Sequence, residues 1–177
     1  MRIISGLHKG RKIQIQKNLP VRPTTDQAKE ALFNILNNNF NISDTIVLDI
    51  FAGTGSISYE FGSRGSKNIT SVDINNKCIN FIKSISNEFS FNIKTIKKDV
   101  YKFVKSCDEH FDIIFADPPY NFDYGKYEKL ISLIFKKNLL KNDGVIVIEH
   151  SKKISLKNIK KYFETREYGG CCFSFFK

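Results

Sequence analysis

The sequence predicts a three-layer α/β domain with a mostly parallel β-sheet, preceded by a basic β-hairpin and closed by an antiparallel hairpin. From about residue 45, short apolar runs alternate with amphipathic stretches, a pattern typical of strands and helices in a parallel sheet covered on both faces. The two final apolar runs flank Gly169-Gly170, which indicates a tight antiparallel connection. Hydrophobic residues make up 41% of the 177 residues, a share typical of a globular chain with a buried core.

The first 22 residues predict a β-hairpin. Two short runs, 2–4 and 12–15, flank His8–Arg11, where Gly10 can supply the turn. A lone hairpin of this size is only marginally stable, so it must pack on the rest of the chain or on a partner. We therefore divide the chain into a basic extension, residues 1–22, and a main domain, residues 23–177.

A helix is expected next, with Thr24 as its N-cap and Gln27 completing a capping box. Its predicted buried face recurs at helical spacing: Ala28, Ala31, Leu32, Ile35 and Leu36. The strands of the main domain are predicted at 46–50, 69–72, 93–96, 113–116 and 145–148, and those of the final hairpin at 162–167 and 171–176. The helices between them are predicted near 56–64, 76–88, 100–107 and 127–137.

The formal net charge of +10 favours a polyanionic partner, because lysine and arginine on phosphates release condensed counterions. A nucleotide-biased genome would also give a lysine-rich and asparagine-rich composition, so charge alone leaves the partner open.

The four cysteines form no C-x-x-C pair and the three histidines lie far apart, so the sequence suggests no metal site. No apolar run reaches the roughly 20 residues of a membrane span, and no signal peptide is evident. We therefore expect a cytoplasmic protein, a monomer, with no membrane partner.

A glycine-containing turn follows the first strand of the main domain, in the segment Asp49–Ser56. Gly53 and Gly55 lack Cβ atoms, so the backbone there can turn tightly and approach a ligand closely. In an open α/β sheet this turn lies in the crevice at the carboxyl ends of the strands. Two further acidic residues, Asp73 and Asp99, each follow a later strand and could bind ribose hydroxyls and an adenine amine.

The turn favours S-adenosylmethionine over a dinucleotide. A dinucleotide site prefers G-x-G-x-x-G, and here Ser58 holds the position of the third glycine. The carboxylate of Asp49 would repel a pyrophosphate but would suit a cationic amino group. The simpler interpretation, that Asp73 and Asp99 only cap the helices that follow them, is compatible with cofactor binding.

The fourth strand ends in Asp117-Pro118-Pro119-Tyr120. The two prolines remove backbone donors and stiffen the segment, so the Asp117 carboxylate and the Pro118 carbonyl are acceptors on a rigid frame. They can each accept one N–H of a target amine, while Tyr120 offers a face on which the base stacks. The simpler interpretation is a turn that ends a strand.

These motifs resemble those of a known family. The segments Asp49–Gly55 and Asp117–Tyr120 resemble class I amino-methyltransferases, whose Asp-Pro-Pro-Tyr motif serves both DNA and RNA enzymes. The segments Arg2–Lys12 and Arg22–Asn34 are more specific, and they resemble the bacterial 16S ribosomal-RNA guanine-N2 methyltransferase family. With Ser63-Arg64-Gly65 and Tyr168-Gly169, the likeness covers nearly the whole chain.

The resemblance implies a seven-stranded Rossmann-like methyltransferase fold with an N-terminal β-hairpin. It implies methyl transfer from S-adenosylmethionine to a guanine N2 in small-subunit ribosomal RNA, free or in an assembling 30S particle. The residues that it implies for the cofactor are Asp49, Phe51, Gly53, Gly55, Asp73 and Asp99, and those for the guanine are Asp117, Pro118 and Tyr120. RNA phosphates would contact Arg2, Lys9, Arg11, Lys12 and Arg22. The sequence departs from the family at Ser58 and at Asp73, where glutamate is frequent.

Two alternatives remain. A DNA adenine-N6 or cytosine-N4 methyltransferase shares the Asp117–Tyr120 motif, although such enzymes usually carry a target-recognition region for which 177 residues leave little room. A non-catalytic RNA-binding factor for ribosome assembly could keep the fold without the reaction, but the intact Asp117 and glycine turn argue against it.

Overall fold

Seven strands form one β-sheet in the computed structural model, which describes residues 1–15, 19, 24–119 and 121–177. The strands are β1 (Ile46–Ile50), β2 (Asn68–Asp73), β3 (Ile93–Lys97), β4 (Phe111–Ala116), β5 (Leu140–Ser151), β6 (Tyr162–Tyr168) and β7 (Cys171–Phe176). Their order across the sheet is β3-β2-β1-β4-β5-β7-β6. The first five pair in parallel, while β7 runs antiparallel to both β5 and β6, which confirms the predicted fold class.

Five α-helices cover the two faces of the sheet. They are α1 (Asp26–Asn37), α2 (Ser56–Ser63), α3 (Asn76–Phe89), α4 (Val100–Ser106) and α5 (Tyr124–Lys136), with a short 3₁₀ helix at Ile42–Asp44. Helices α4 and α5 bury their apolar side chains against one face, and α1 and α2 pack on the other. Next to α2, the predicted stripe of α3 is buried: Cys78, Ile82, Ile85 and Phe89.

The beginnings of two helices differ from the prediction. The N-cap of α1 is Thr25, whose side chain accepts a hydrogen bond from the Ala28 amide, so the prediction of Thr24 as cap is wrong. Helix α5 begins at Tyr124, before the predicted residue 127, because Asp123 caps it by accepting from the Lys126 amide at 2.9 Å. Short polar side chains thus decide where these helices begin.

The strand order positions a crevice. Strand β1 lies between β2 and β4, so the chain leaves β1 toward one side of the sheet and later returns to its other side. Ligands of open α/β sheets bind at such a topological switch point, outside the carboxyl ends of the strands. The segments that follow β1 and β4 therefore face each other across one crevice.

The first 15 residues form a short antiparallel hairpin with one β-bridge, between Arg2 and Lys12. The Ile3 amide donates to the Arg11 carbonyl at 3.0 Å, and the Gly10 amide donates to the Ile3 carbonyl at 2.9 Å. Ile3 and Ile13 are buried in the same apolar cluster as α3. The hairpin thus packs on the main domain and shares its core. The proposed boundary at residue 22 lies outside the described residues and stays a prediction.

A buried ion pair ties the hairpin to α1 and α2. Lys29 and Glu60 are fully buried, with 3.4 Å between Nζ and Oε1. Lys29 Nζ also donates to the Arg2 carbonyl, and Glu60 Oε1 accepts from the Ile4 amide at 2.6 Å. Both charges therefore bind backbone groups of the hairpin, which offsets part of the cost of burying them.

The hairpin tip lies against the C-terminal end of α2. The Leu7 amide donates to the Ser63 carbonyl at 2.7 Å, and the Ser63 hydroxyl donates to the Ser5 carbonyl at 2.6 Å. Gly6 has φ +84°, and a Cβ there would lie 1.9 Å from the Ser63 carbonyl oxygen. Only glycine fits this approach of two backbones.

We expect Gly6→Ala to release the hairpin tip from α2, and Gly10→Ala provides the matched control. Gly10 also has a left-handed φ, +82°, but a Cβ there meets nothing within 4 Å. Gly10→Ala should therefore cost only about 1–2 kcal/mol, the conformational term of an alanine in that region. Gly6→Ala should cost more, because it adds a backbone clash. Urea denaturation measures both, and equal losses would contradict this docking.

Candidate functional site

A cavity of about 450 Å³ lies at the carboxyl ends of β1, β2, β4 and β5. This volume falls in the range of small-molecule and cofactor sites, roughly 300–1,000 Å³. The wall includes six residues that the sequence singled out: Asp49, Phe51, Gly53, Asp73, Asp117 and Pro118. The chain thus brings the predicted cofactor turn and the predicted target motif to one space.

The glycine turn that follows β1 holds three residues with positive φ: Phe51 at +60°, Gly53 at +53° and Gly55 at +77°. Gly55 is the N-cap of α2, and a Cβ there would lie 2.8 Å from both Ile82 Cγ1 and the Tyr59 ring. Gly55 therefore lies behind the cavity wall, where it lets α2 begin close to α3. The left-handed φ of Phe51 is uncommon for a bulky residue, and such strain concentrates at functional sites.

Asp73 closes the glycine turn. One carboxylate oxygen accepts from the Gly53 amide at 2.8 Å, and the other accepts from the Asn75 amide at 2.7 Å. The cap of α3 is Asn75, which accepts from the Lys77 amide, so helix capping does not explain Asp73. The carboxylate is instead fixed in the cavity wall, where its remaining lone pairs can accept from hydroxyl groups.

Asp99 has a different position. It is the N-cap of α4 and accepts from the Lys102 amide at 3.0 Å, as the capping interpretation expects. It follows β3 at the same edge of the sheet but does not belong to the cavity wall. Its predicted contact with an adenine amine stays a prediction.

Asp49 is buried at the end of β1, and its position depends on Ser58. The Ser58 hydroxyl lies 2.5 Å from Asp49 Oδ2 and 2.7 Å from the Ser71 hydroxyl. Burial, with a smaller contribution from the charge of Asp73, raises the pKa of Asp49 to about 7 against the hydrogen bonds from Ser58. The serine that replaces the third glycine of a dinucleotide motif therefore positions this carboxylate. A buried carboxylate of this kind favours a cationic ligand.

The cavity also contains a polar atom that suits a ligand. Ser56 begins α2 and lines the wall, and its buried hydroxyl has no hydrogen-bond partner among the described residues. Backbone N–H groups at the start of a helix attract an acceptor such as a carboxylate. Asp49 suits an ammonium group, Ser56 and the first turn of α2 suit a carboxylate, and Asp73 suits ribose hydroxyls. Together these groups fit a nucleoside that carries an amino acid.

The target motif follows β4 and faces a second carboxylate. In the β4–β5 register Phe115 pairs with Val147 and Ala116 with Ile148, and Asp117 and Glu149 each follow one residue later. The pKa of Asp117 is raised well above its usual range, mainly by burial and further by the charges of Glu149 and Asp49. Burial also raises the pKa of Glu149. Pro118 lines the cavity beside them, while Tyr120 lies outside the described residues.

Glu149 and the role of Thr24 in the site were not predicted from the sequence. The Thr24 hydroxyl donates to Glu149 Oε2 at 2.9 Å, across 125 residues of chain, so Thr24 joins the site instead of capping α1. A signal for Glu149 was present, because it follows the apolar run of β5 as Asp117 follows that of β4. The rule that polar residues at carboxyl ends meet in one crevice applies equally to the fifth strand.

Four of the predicted RNA-contacting residues lie within the described part of the hairpin, and all four are on its surface. Lys9, Arg11 and Lys12 are exposed. Arg2 is also exposed, but its Nε lies 3.1 Å from Asp26 Oδ2, an ion pair that competes with a phosphate. Arg22 lies outside the described residues. Within the described ranges, no helix is long and apolar enough to cross a membrane.

Comparisons with known proteins identify relatives along the whole chain. The family model described as "Conserved hypothetical protein 95" matches residues 1–177. Several curated relatives carry the name ribosomal RNA small subunit methyltransferase D. One from Buchnera aphidicola subsp. Baizongia pistaciae is 35% identical over 88% of this chain and 78% of its own length. The relative from Haemophilus influenzae is 34% identical over 86% of this chain and 79% of its own length. The relative from Escherichia coli is 31% identical over 84% of this chain and 74% of its own length.

Solved structures share the fold. A candidate methylase from Haemophilus influenzae is 30% identical with a TM-score of 0.79, covering 99% of this chain and 96% of its own. A hypothetical protein from Thermus thermophilus has a TM-score of 0.86 over 100% of this chain and 99% of its own. At 23% identity, the second likeness concerns the fold alone.

The raised pKa of Asp49 predicts a pH-dependent affinity for S-adenosylhomocysteine. Below pH 7 this carboxyl group is largely protonated in the free protein, and in the predicted role it would have to ionise to pair with the ligand's ammonium group. The dissociation constant should therefore fall by up to roughly tenfold per pH unit from pH 5.5 to 7 and then level off. Asp49→Asn should bind weakly with little pH dependence, and the exposed Asp143→Asn should match the wild type. Calorimetric titration measures the affinity, and an unchanged pH profile in Asp49→Asn would exclude this role.

Proposed function

The chain belongs to the Conserved hypothetical protein 95 family, together with the relatives named ribosomal RNA small subunit methyltransferase D, and on this premise we propose that it methylates ribosomal RNA. In this proposal a methyl group passes from S-adenosylmethionine to the exocyclic N2 amine of a guanine in the small subunit. The observation that carries the proposal is that Asp49 and Asp117, on adjacent strands, line one cavity.

The glycine-turn half of the cavity suits S-adenosylmethionine. When bound, this cofactor supplies an electrophilic methyl group on a sulfonium. Asp49 would pair with its ammonium group, the first turn of α2 would receive its carboxylate, and Asp73 would accept from its ribose. Phe51, which packs edge-to-face on Phe122 at 5.5 Å between ring centroids, provides an apolar wall beside the turn.

The Asp117 half suits an aromatic amine. The lone pair of such an amine is delocalised into its ring, so the nitrogen is a poor nucleophile until its geometry changes. Asp117 and the Pro118 carbonyl would each accept one N–H, which orients the nitrogen and favours a pyramidal geometry. The same acceptors stabilise the positive charge that develops during transfer. No strong base is required, because the methylated cationic amine is very acidic.

The basic surface suits the RNA backbone. Lys9, Arg11 and Lys12 lie on the exposed hairpin, which is docked rigidly on α2. Such side chains would hold phosphates, while the target guanine leaves its stack to reach the cavity. A ribosomal substrate, as RNA or as an assembling 30S particle, implies a cytoplasmic reaction. The names of the relatives favour RNA over the DNA alternative.

The proposal is tested by incubating the protein with radiolabelled S-adenosylmethionine and small subunits that lack base methylation. We expect one methyl group per particle, recovered by nucleoside mass spectrometry as N2-methylguanosine. Fully methylated subunits are the control and should accept none. Methyl groups on adenine N6 or cytosine N4 would contradict the guanine assignment. Cofactor binding without any transfer would instead support a non-catalytic assembly factor.

A further inference from the structure

The target half of the cavity contains a second carboxylate, Glu149, beside Asp117. The β4–β5 register places the two at equivalent positions of adjacent parallel strands, one residue beyond the pair Ala116–Ile148. Equivalent side chains of adjacent strands point to the same side of a sheet. Both carboxylates line the cavity, and burial together with the charge of Glu149 raises the pKa of Asp117. Two acceptors of the same kind therefore face one ligand.

Two neighbours hold Glu149 in place at the cavity wall. Its Oε2 accepts the Thr24 hydroxyl at 2.9 Å, and its carboxylate also shares a hydrogen bond with the Cys171 thiol. A carboxylate has about four lone-pair positions, so Glu149 keeps acceptor capacity for a ligand. Neither Glu149 nor Asp117 forms an ion pair with a lysine, arginine or histidine of the described chain. Paired buried carboxylates without a cation are costly, and a ligand that brings several N–H donors would offset that cost.

The pairing edge of the nucleobase decides which ligand fits. Guanine presents its N1–H and its 2-amino group side by side, so both neighbours are donors. Adenine and cytosine present an amino group beside a ring nitrogen that carries a lone pair. A carboxylate that faces that lone pair is repelled, and its own acceptor oxygen stays unpaired.

We propose that Glu149 is a specificity-determining residue that accepts the N1–H of the target guanine while Asp117 accepts from its 2-amino group. This inference rests on the proposed function and assigns the choice of base to a residue of β5. Thr24 acts as a positioning residue, because its hydroxyl directs the Glu149 carboxylate toward the bound base.

The test exchanges the target guanine, once mapped, for 2-aminopurine in small subunits reconstituted with semisynthetic RNA. 2-Aminopurine keeps the 2-amino group but has a lone pair in place of N1–H. Wild-type protein should methylate guanine at least about a hundredfold faster, because sites built for a donor reject analogues that lack it. Glu149→Gln should lose about a hundredfold on guanine, because the Thr24 hydroxyl keeps the amide oxygen as its acceptor and the amide N–H groups then face the guanine N1–H. Its preference should shrink below about tenfold, because the same N–H groups can donate to N1 of 2-aminopurine.

The controls separate specificity from folding. Glu88→Gln removes an exposed carboxylate of α3 and should behave as wild type in both reactions. If Glu149→Gln fails to fold, Thr24→Val, which lacks the hydroxyl, should lose rate on guanine more than on 2-aminopurine. Thr24→Ser should restore the wild-type preference.

Two results would overturn the inference. Glu149→Gln could keep the wild-type rate and preference, or it could lose rate equally on both bases, which would indicate a structural role. Either result would leave N2 methylation by the wild type intact, and the proposed function with it. If the wild type instead modifies adenine or cytosine, both the proposed function and the role of Glu149 fail.

Discussion

The site depends on the adjacency of β1 and β4 in the sheet. Because the two strands are parallel neighbours, their carboxyl ends lie side by side, and the residues that follow them share one cavity. The glycine turn can then hold a cofactor within reach of a group bound at Asp117. Proximity of this kind supplies a large part of the rate in transfer reactions, since the reactants are already oriented.

The protein as a whole is basic, whereas its cavity is lined by acidic side chains. The chain carries a net charge of +10, yet four carboxylates line the cavity: Asp49, Asp73, Asp117 and Glu149. Neutral donors hold three of them in place: the Ser58 hydroxyl for Asp49, the Gly53 amide for Asp73 and the Thr24 hydroxyl for Glu149. A basic exterior attracts a polyanionic backbone, and an acidic interior favours N–H donors over phosphate. This division suits a base presented out of a nucleic acid strand.

The sequence was most informative where local pattern and ligand chemistry agree. Apolar periodicity located the strands and most of the helices, and the positions of Asp49, Asp73 and Asp117 at the carboxyl ends of strands placed them in the cavity. Contacts between segments that are far apart in the sequence could not be predicted from local patterns. The bond from Thr24 to Glu149 spans 125 residues, so a local capping rule assigned Thr24 to α1. The docking of the hairpin likewise depends on Lys29 and Glu60, whose pairing requires the packing of α1 on α2.

The most direct measurement of the central claim is the methyl-transfer rate of Asp117→Ala, determined with its affinity for S-adenosylhomocysteine in the same preparation. We expect the rate to fall by at least about 10²–10³-fold, the usual cost of removing one group that stabilises developing charge. Cofactor affinity should stay near the wild-type value, because the glycine turn and Asp49 are unchanged. A variant that keeps the full rate with normal cofactor binding would contradict the role of Asp117.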